Sequence, residues 1–300
     1  MASCREFAYF SPKMMQATKE FHWKNPNGNQ IYAVEWPVEN ARAVIGLIHG
    51  MGEHIRRYDG MVNWYRQQGI ACVGYDRQGF GRSEGKRAYA RSYKVFVDEV
   101  ARLVVACERR YPDLPVFLYG HSFGGQTLLR YLIKRKPHIS GAIVTGPHLQ
   151  LSFQPNPLIV ALGKITRKLV PTFTQENQLE TSKLSRRAEV VKAYNEDPYV
   201  TSKLTSQTGI DVLEIAEELD GWKGELPVPT LLMHGGEDGI TSPSASQAFA
   251  ERNPRELTWK LWPGLYHEIH LEPEREEVYT FTLAWLEERL GAVHRPPESV

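Results

Sequence analysis

The segment Gly120-His121-Ser122-Phe123-Gly124-Gly125 carries the first pattern able to do chemistry. It places a serine between two glycines, G-x-S-x-G, directly after an apolar run and before a helical stretch. That context fits a strained strand-to-helix turn that lifts the hydroxyl into the open. A serine hydroxyl is a weak nucleophile until a base takes its proton, so the pattern demands a histidine and a carboxylate to orient it. In this topology the chain order is serine, then acid, then histidine. Asp238 lies in His234-Gly235-Gly236-Glu237-Asp238, and His267 in Gly264-Leu265-Tyr266-His267-Glu268. Both follow expected strands, where sites in open α/β sheets form. Glu237 is the rival of Asp238, because adjacent side chains in an extended loop point apart and only one faces the histidine. His270 is the rival base. His267 is favoured because its loop follows the final strand directly. His22, His138, His148 and His294 fit surface or structural roles, and His234 reads as a strand end.

A second turn, Ile48-His49-Gly50-Met51-Gly52-Glu53-His54, follows another apolar run. A His-Gly turn here offers one backbone N–H to a developing oxyanion, and the residue after the nucleophile offers the other. Those donors are the amides of Met51 and Phe123, worth about 3 kcal/mol each in such a hole. No Gly-x-Gly-x-x-Gly follows the first strand and no zincin spacing occurs, so neither a cofactor nor a metal is expected.

Elements able to hold these groups are legible along the chain. Residues 18–36 read as a hairpin around the turn-rich Asn25-Pro26-Asn27-Gly28-Asn29. Short β-branched runs at 43–48, 71–75, 116–119 and 142–145 then alternate with helical stretches at 60–68, 93–110 and 123–136. This rhythm predicts an α/β fold, a mostly parallel central sheet with helices on both faces. It breaks from about 147 to 226, where prolines and short amphipathic pieces replace buried strands. It resumes at 228–233, 244–252, 257–261 and 274–290. An insertion this long is no plain loop. The expected organisation is one discontinuous core, 1–146 and 227–290, an inserted helical cap, 147–226, and a flexible tail, 291–300.

Composition narrows the function classes. Lys plus Arg is 36 and Asp plus Glu 35, a net charge of +1, which argues against nucleic acid as a partner because phosphate affinity needs clustered positive charge. Three scattered cysteines give neither a disulfide framework nor a zinc ribbon. The opening MASCREFAYF lacks the pattern of a secretory leader, and no apolar run approaches the roughly 20 residues of a spanning helix. The expectation is a cytoplasmic protein, with peripheral membrane contact left open and the oligomeric state unread.

Several stretches together resemble the monoacylglycerol lipase and lysophospholipase group of α/β-hydrolases. They are HGMGEHIRRY (49–58), YDRQGFGRSEG (75–85), GHSFGG (120–125), LSRRAEVVKAYNEDPYV (184–200), HGGEDGITSP (234–243) and YHEIHLEPE (266–274). The resemblance covers roughly residues 20–290 and implies Ser122, Asp238 and His267 as the catalytic triad. It further implies an apolar acyl tunnel under the cap and a polar pocket for a glycerol head, for which Glu53, Arg57, His270 and Tyr194 are the candidates. A mutual salt bridge holding the loop is an equal reading of Glu53 and Arg57. The implied reaction is hydrolysis of monoacylglycerols through an acyl-enzyme. Lysophospholipase or general carboxylesterase activity, or a non-catalytic receptor on the same scaffold, are the alternatives. Two positions depart from the pattern of the mammalian enzyme: Phe123 stands where it has methionine, and Met51 where it has a small residue. Both are expected to reshape the acyl channel. In the cap, Leu158, Leu162, Ile165 and Leu169 share one helical face, with Lys164, Arg167 and Lys168 interspersed. That face either rests on a membrane surface or packs inward as the tunnel roof.

Overall fold

Parallel strands covered on both faces are buried along their whole length, and five of the central strands here are. A computed structural model of the chain describes residues 16–293. The opening residues, including Cys4, and the tail beyond Val293 lie outside the described residues. The sheet strands are β1 (Lys19–Lys24), β2 (Gln30–Trp36), β3 (Ala43–Ile48), β4 (Ile70–Tyr75), β5 (Val116–His121), β6 (Gly141–Thr145), β9 (Thr230–Gly235) and β10 (Leu257–Trp262). They lie in the order β1-β2-β4-β3-β5-β6-β9-β10. Only β1 and β2 run antiparallel to their neighbours; the other pairings are parallel.

Alternate residues of each central strand serve opposite faces, as the pleat requires. Val44 and Ile48 of β3 join a core with α2 (Lys94–Arg110), α3 (Phe123–Arg135) and α7 (Pro243–Glu251). Ala43, Ile45 and Leu47 join a second core with α1 (Asp59–Gln67) and α8 (Arg275–Val293). The expected hairpin is β1–β2. The expected tail from residue 291 begins instead inside α8, which continues to Val293. Strand β5 outruns its expected end by two residues, because Gly120 and His121 stay in the ladder beside Val144 and Thr145 right up to the turn.

Between β6 and β9 the chain leaves the sheet. It forms α4 (Pro157–Leu169), β7 (Thr174–Glu176), α5 (Ala188–Glu196), β8 (Lys203–Thr205) and α6 (Ser206–Asp220). β7 and β8 pair as a small antiparallel ladder, too short and too exposed to show as strands in sequence. Asn156 caps α4 by accepting from Leu158 N at 2.9 Å, with Pro157 at the first helical position. α4 lies on α6 at Gly163, where a Cβ would come 3.0 Å from Ile210 Cδ1. Arg167 pairs with Glu214 at 2.7 Å, and Thr166 Oγ lies 2.7 Å from Ser206 Oγ.

That docking turns the apolar stripe of α4 away from the body. Leu158 is 79% exposed and Leu169 76%, with Leu162 and Ile165 more than half exposed. The roofing alternative for this stripe is therefore corrected: Ile159, Val160 and Gly163, on the other side of α4, face the cavity beneath. Among the described residues no helix is long and apolar enough to cross a membrane.

Candidate active site

Ser122 joins β5 to α3 with φ 55° and ψ −118°, a region that L-residues avoid and that marks a constrained turn. Glycine on either side is forced by space. A Cβ on Gly120 would meet Gly124 O at 2.6 Å, and one on Gly124 would meet Ile48 O at 2.1 Å. The turn thus packs its backbone directly against the end of β3.

His267 and Asp238 arrive from the loops after β10 and β9. Asp238 Oδ2 accepts from His267 Nδ1 at 2.7 Å. A carboxylate can only accept, so Nδ1 carries the proton. Nε2 is left bare to accept from Ser122 Oγ at 2.9 Å. Asp238 is itself held on both oxygens. Oδ1 accepts from Ile240 N at 2.8 Å and Thr241 N at 3.0 Å. Oδ2 also accepts from Thr241 Oγ and His234 Nε2, each at 2.9 Å. Burial alone would raise its pKa, but His267 and His234 hold it well below the usual carboxylate range. Burial works against an imidazolium at His267, and the adjoining Asp238, with Glu268 and Glu53, outweighs it and raises its pKa. Glu237 is exposed, whereas Asp238 is buried.

An imidazole so oriented can remove the serine proton; the expected oxyanion donors are the amides of Met51 and Phe123. Met51 follows Gly50, whose N–H donates to Glu53 Oε1 at 2.5 Å. The N–H of Phe123 is the first of α3, one of those with no partner inside the helix. Ser122, His267, Met51 and Phe123 all line one cavity of about 510 Å³. Its wall is apolar at Leu151, Phe153, Ile159, Val160 and Leu213 and polar at Glu53, Tyr194 and Glu268.

The four head-group candidates separate. Glu53 and Tyr194 reach the cavity; Arg57 and His270 stand behind it. Arg57 bonds Glu53 Oε2 and grips Glu268 with two bonds, at 2.5 and 2.8 Å. Burial opposes charge on Glu53, and Arg57 outweighs it and holds the carboxyl low. The salt-bridge reading of Glu53 and Arg57 is thus realised beside a cavity-facing carboxylate. His270 is fully buried, stacked on Tyr58 at 4.8 Å, with neither ring nitrogen partnered among the described residues. Burial pushes its pKa down to about 3. The Tyr194 hydroxyl is buried without a partner among the described residues, its ring 4.7 Å from the Arg57 guanidinium carbon.

Three residues escaped the sequence reading. His234 braces Asp238 from one helical-turn spacing away, a signal present as His-x-x-x-Asp. Glu268 takes Arg57 as its partner. His121 sits between His267 and His270, ring centroids 4.7 and 4.9 Å away, and burial holds it neutral. Ligand atoms of Glu53, His121 and Glu268 lie within 4.8 Å of one another, but the guanidinium of Arg57 already bonds both carboxylates.

A family model described as "Serine aminopeptidase, S33" matches residues 39–274. The chain belongs to this family of α/β-hydrolases. The hydrolase is 31% identical over 258 residues to a monoacylglycerol lipase of Mycolicibacterium smegmatis, covering 85% of this chain and 92% of that one. It is 34% identical over 261 residues to an uncharacterized abhydrolase domain-containing protein of Dictyostelium discoideum. There the match takes in 86% of this chain but only 28% of the relative. Among solved structures, the monoacylglycerol lipase of Paleococcus ferrophilus superposes with a TM-score of 0.79 at 29% identity, over 86% of this chain and 99% of that one. By class this α/β-hydrolase is a carboxylic ester hydrolase.

Proposed function

We propose that this α/β-hydrolase releases fatty acid and glycerol from monoacylglycerols through an acyl-enzyme. The observation that carries the reading is the position of the Ser122–His267–Asp238 chain. It opens at the junction of an apolar wall and a small polar end in one cavity. An acyl chain lies along Leu151, Ile159 and Leu213, and the leaving alcohol faces Glu53 and Tyr194. Ser122 Oγ attacks the ester carbonyl while His267 Nε2 takes its proton. The amides of Met51 and Phe123 receive the oxyanion. His267 then donates its proton to the glycerol oxygen as that bond breaks, and water repeats the sequence with His267 as base.

The polar end favours a neutral head over a phosphodiester. Two buried carboxylates share a single guanidinium there, so an added phosphate would meet excess negative charge. The unpartnered Tyr194 hydroxyl offers a glycerol hydroxyl its missing bond. In this reading residues 147–226 act as a cap over the body formed by 1–146 and 227–290. The outward stripe of α4 rests on a lipid surface while substrate enters.

The test is hydrolysis by purified protein of a monoacylglycerol series, against a lysophospholipid of the same acyl chain and di- and triacylglycerols. A higher kcat/KM for monoacylglycerols is expected. Preference for the lysophospholipid would overturn the head-group assignment. Labelling of Ser122 by a fluorophosphonate without lipid turnover would point to a binding protein instead.

A further inference from the structure

Arg77, two residues beyond β4, is fully buried, yet its Nε and Nη1 have no hydrogen-bond partner among the described residues. A buried cation without a carboxylate is costly, and apolar packing in its place is often neutral or better. Glu99 lies close enough to feel the charge, but its oxygens are turned to Gln78 N at 3.2 Å and Asn25 Nδ2 at 3.4 Å. Packing therefore does not account for an arginine at this position, and its contacts show what else it touches.

Arg77 holds His49 from two directions. Its backbone N–H donates to His49 Nε2 at 3.1 Å, and its Nη2 donates to His49 O at 2.5 Å. The His49 ring continues the chain of bonds. Its Nδ1 donates to Gly50 O at 2.8 Å, a carbonyl being an acceptor only. Burial and the neighbouring Arg77 keep that ring neutral, its pKa near 3, so Nε2 stays available as acceptor. Gly50 O is the carbonyl of the peptide unit whose N–H belongs to Met51. Fixing one end of a planar peptide fixes the other. On its opposite side the guanidinium lies over the ring of Phe123, 4.2 Å from its centroid. The edges of Tyr93 and Phe96 enclose that ring.

We propose that Arg77 is a positioning residue for the oxyanion hole. Through His49 it sets the Met51 amide, and through the Phe123 ring it steadies the other donor. Its unpaired charge biases the buried hole toward an anion. The inference rests on the assignment of Met51 and Phe123 as oxyanion donors to an ester attacked by Ser122. It predicts a residue that touches no substrate and yet acts only on the charged, tetrahedral stage of the reaction.

The experiment compares Arg77→Met and Arg77→Lys with the parent on a p-nitrophenyl ester. It adds inhibition by an alkyl trifluoromethyl ketone, which forms a tetrahedral oxyanion adduct with a serine, and by the uncharged fatty alcohol of the same chain length, which does not. Expected for Arg77→Met is a fall in kcat of about 10- to 100-fold with KM within about threefold. Ketone affinity should weaken by the same factor as kcat, inhibition by the alcohol should stay as in the parent, and the melting temperature should be no lower. Arg77→Lys keeps charge without the fork and should fall between. A folded Arg77→Met with parental kcat and ketone affinity overturns the proposal. So does a kcat loss that leaves ketone affinity intact. If Arg77→Met does not fold, the same comparison on Arg77→Lys decides, and failure of both to fold makes the residue structural and overturns it. Ser122→Ala runs alongside: turnover retained there would bring down the serine assignment itself, independently of Arg77.

Discussion

Arg57 and Glu268 meet through two parallel hydrogen bonds, Nη1 to Oε1 at 2.5 Å and Nη2 to Oε2 at 2.8 Å, although 211 positions separate them. The same Nη1 bonds Glu53. One buried guanidinium therefore ties the turn carrying Met51 to the loop carrying His267. Arg57→Met leaves two buried carboxylates without their cation, and breaking a buried pair in this way costs about 3–5 kcal/mol. Urea unfolding near neutral pH should show that loss. A change under 1 kcal/mol, roughly the worth of an exposed pair, would mean that the carboxylates find other relief.

Ser122→Ala should keep the fold and lose on the order of 10⁶ in kcat, the scale of nucleophile removal in comparable triads. Asp238→Asn should lose about 10⁴, because the amide favours the wrong imidazole tautomer. Steady-state turnover on a soluble ester reads both. If Glu237→Gln proves the more damaging change, the carboxylate assignment is wrong.

The acid limb of kcat/KM should lie above pH 6.5. Burial disfavours charge on His267, yet Asp238, Glu268 and Glu53 outweigh it and raise its pKa. A base works only unprotonated, so activity is lost as pH falls through that raised value. Glu268→Gln removes one of the charges that raise it and should move the limb to lower pH. A limb that stays in place or moves up would contradict this.

The shift at His270 has the opposite sign and acts on stability. Burial lowers its pKa from 6.5 to about 3, so the unfolded chain binds a proton that the native protein refuses between those values. The stability involved is complete above pH 6.5 and lost as pH falls. His270→Phe removes this group and should flatten the dependence on pH by one proton, about 1.4 kcal/mol per pH unit, across that interval. Parallel curves for variant and parent would show that His270 titrates normally. Because the ring lies behind the cavity, KM should change little.

Leu158→Asp and Leu169→Asp alter the most exposed apolar positions of α4. Co-sedimentation with phospholipid vesicles should drop for both, while turnover of a soluble ester stays at the parental level. Equal binding of variants and parent to vesicles would remove α4 as the contact surface.

The strand–helix rhythm was readable because buried parallel strands are apolar along most of their length, and because the turns at Asn25–Asn29 and Gly120–Gly124 have few other uses for their residues. Ser122, Asp238 and His267 were readable from local context: each follows a strand. What the chain did not disclose was anything set by distant packing. The stripe Leu158–Leu169 tells which residues share a side of α4, not whether that side meets the body or the solvent. Arg57 and Glu53 stand close in sequence, whereas Glu268 becomes their third member only when the loop after β10 folds back. Arg77 is one of many arginines, and nothing local marks it as enclosed.

The backbone at Ser122, at φ 55°, has a consequence for how such a protein changes under selection. Glycine would relieve that geometry, at a gain of the order of 1–3 kcal/mol by the usual cost of such conformations. It would also delete the reactive oxygen. Selection for thermal endurance alone, in a laboratory library without a turnover screen, should therefore drift toward Ser122→Gly and yield a sturdier, inert scaffold.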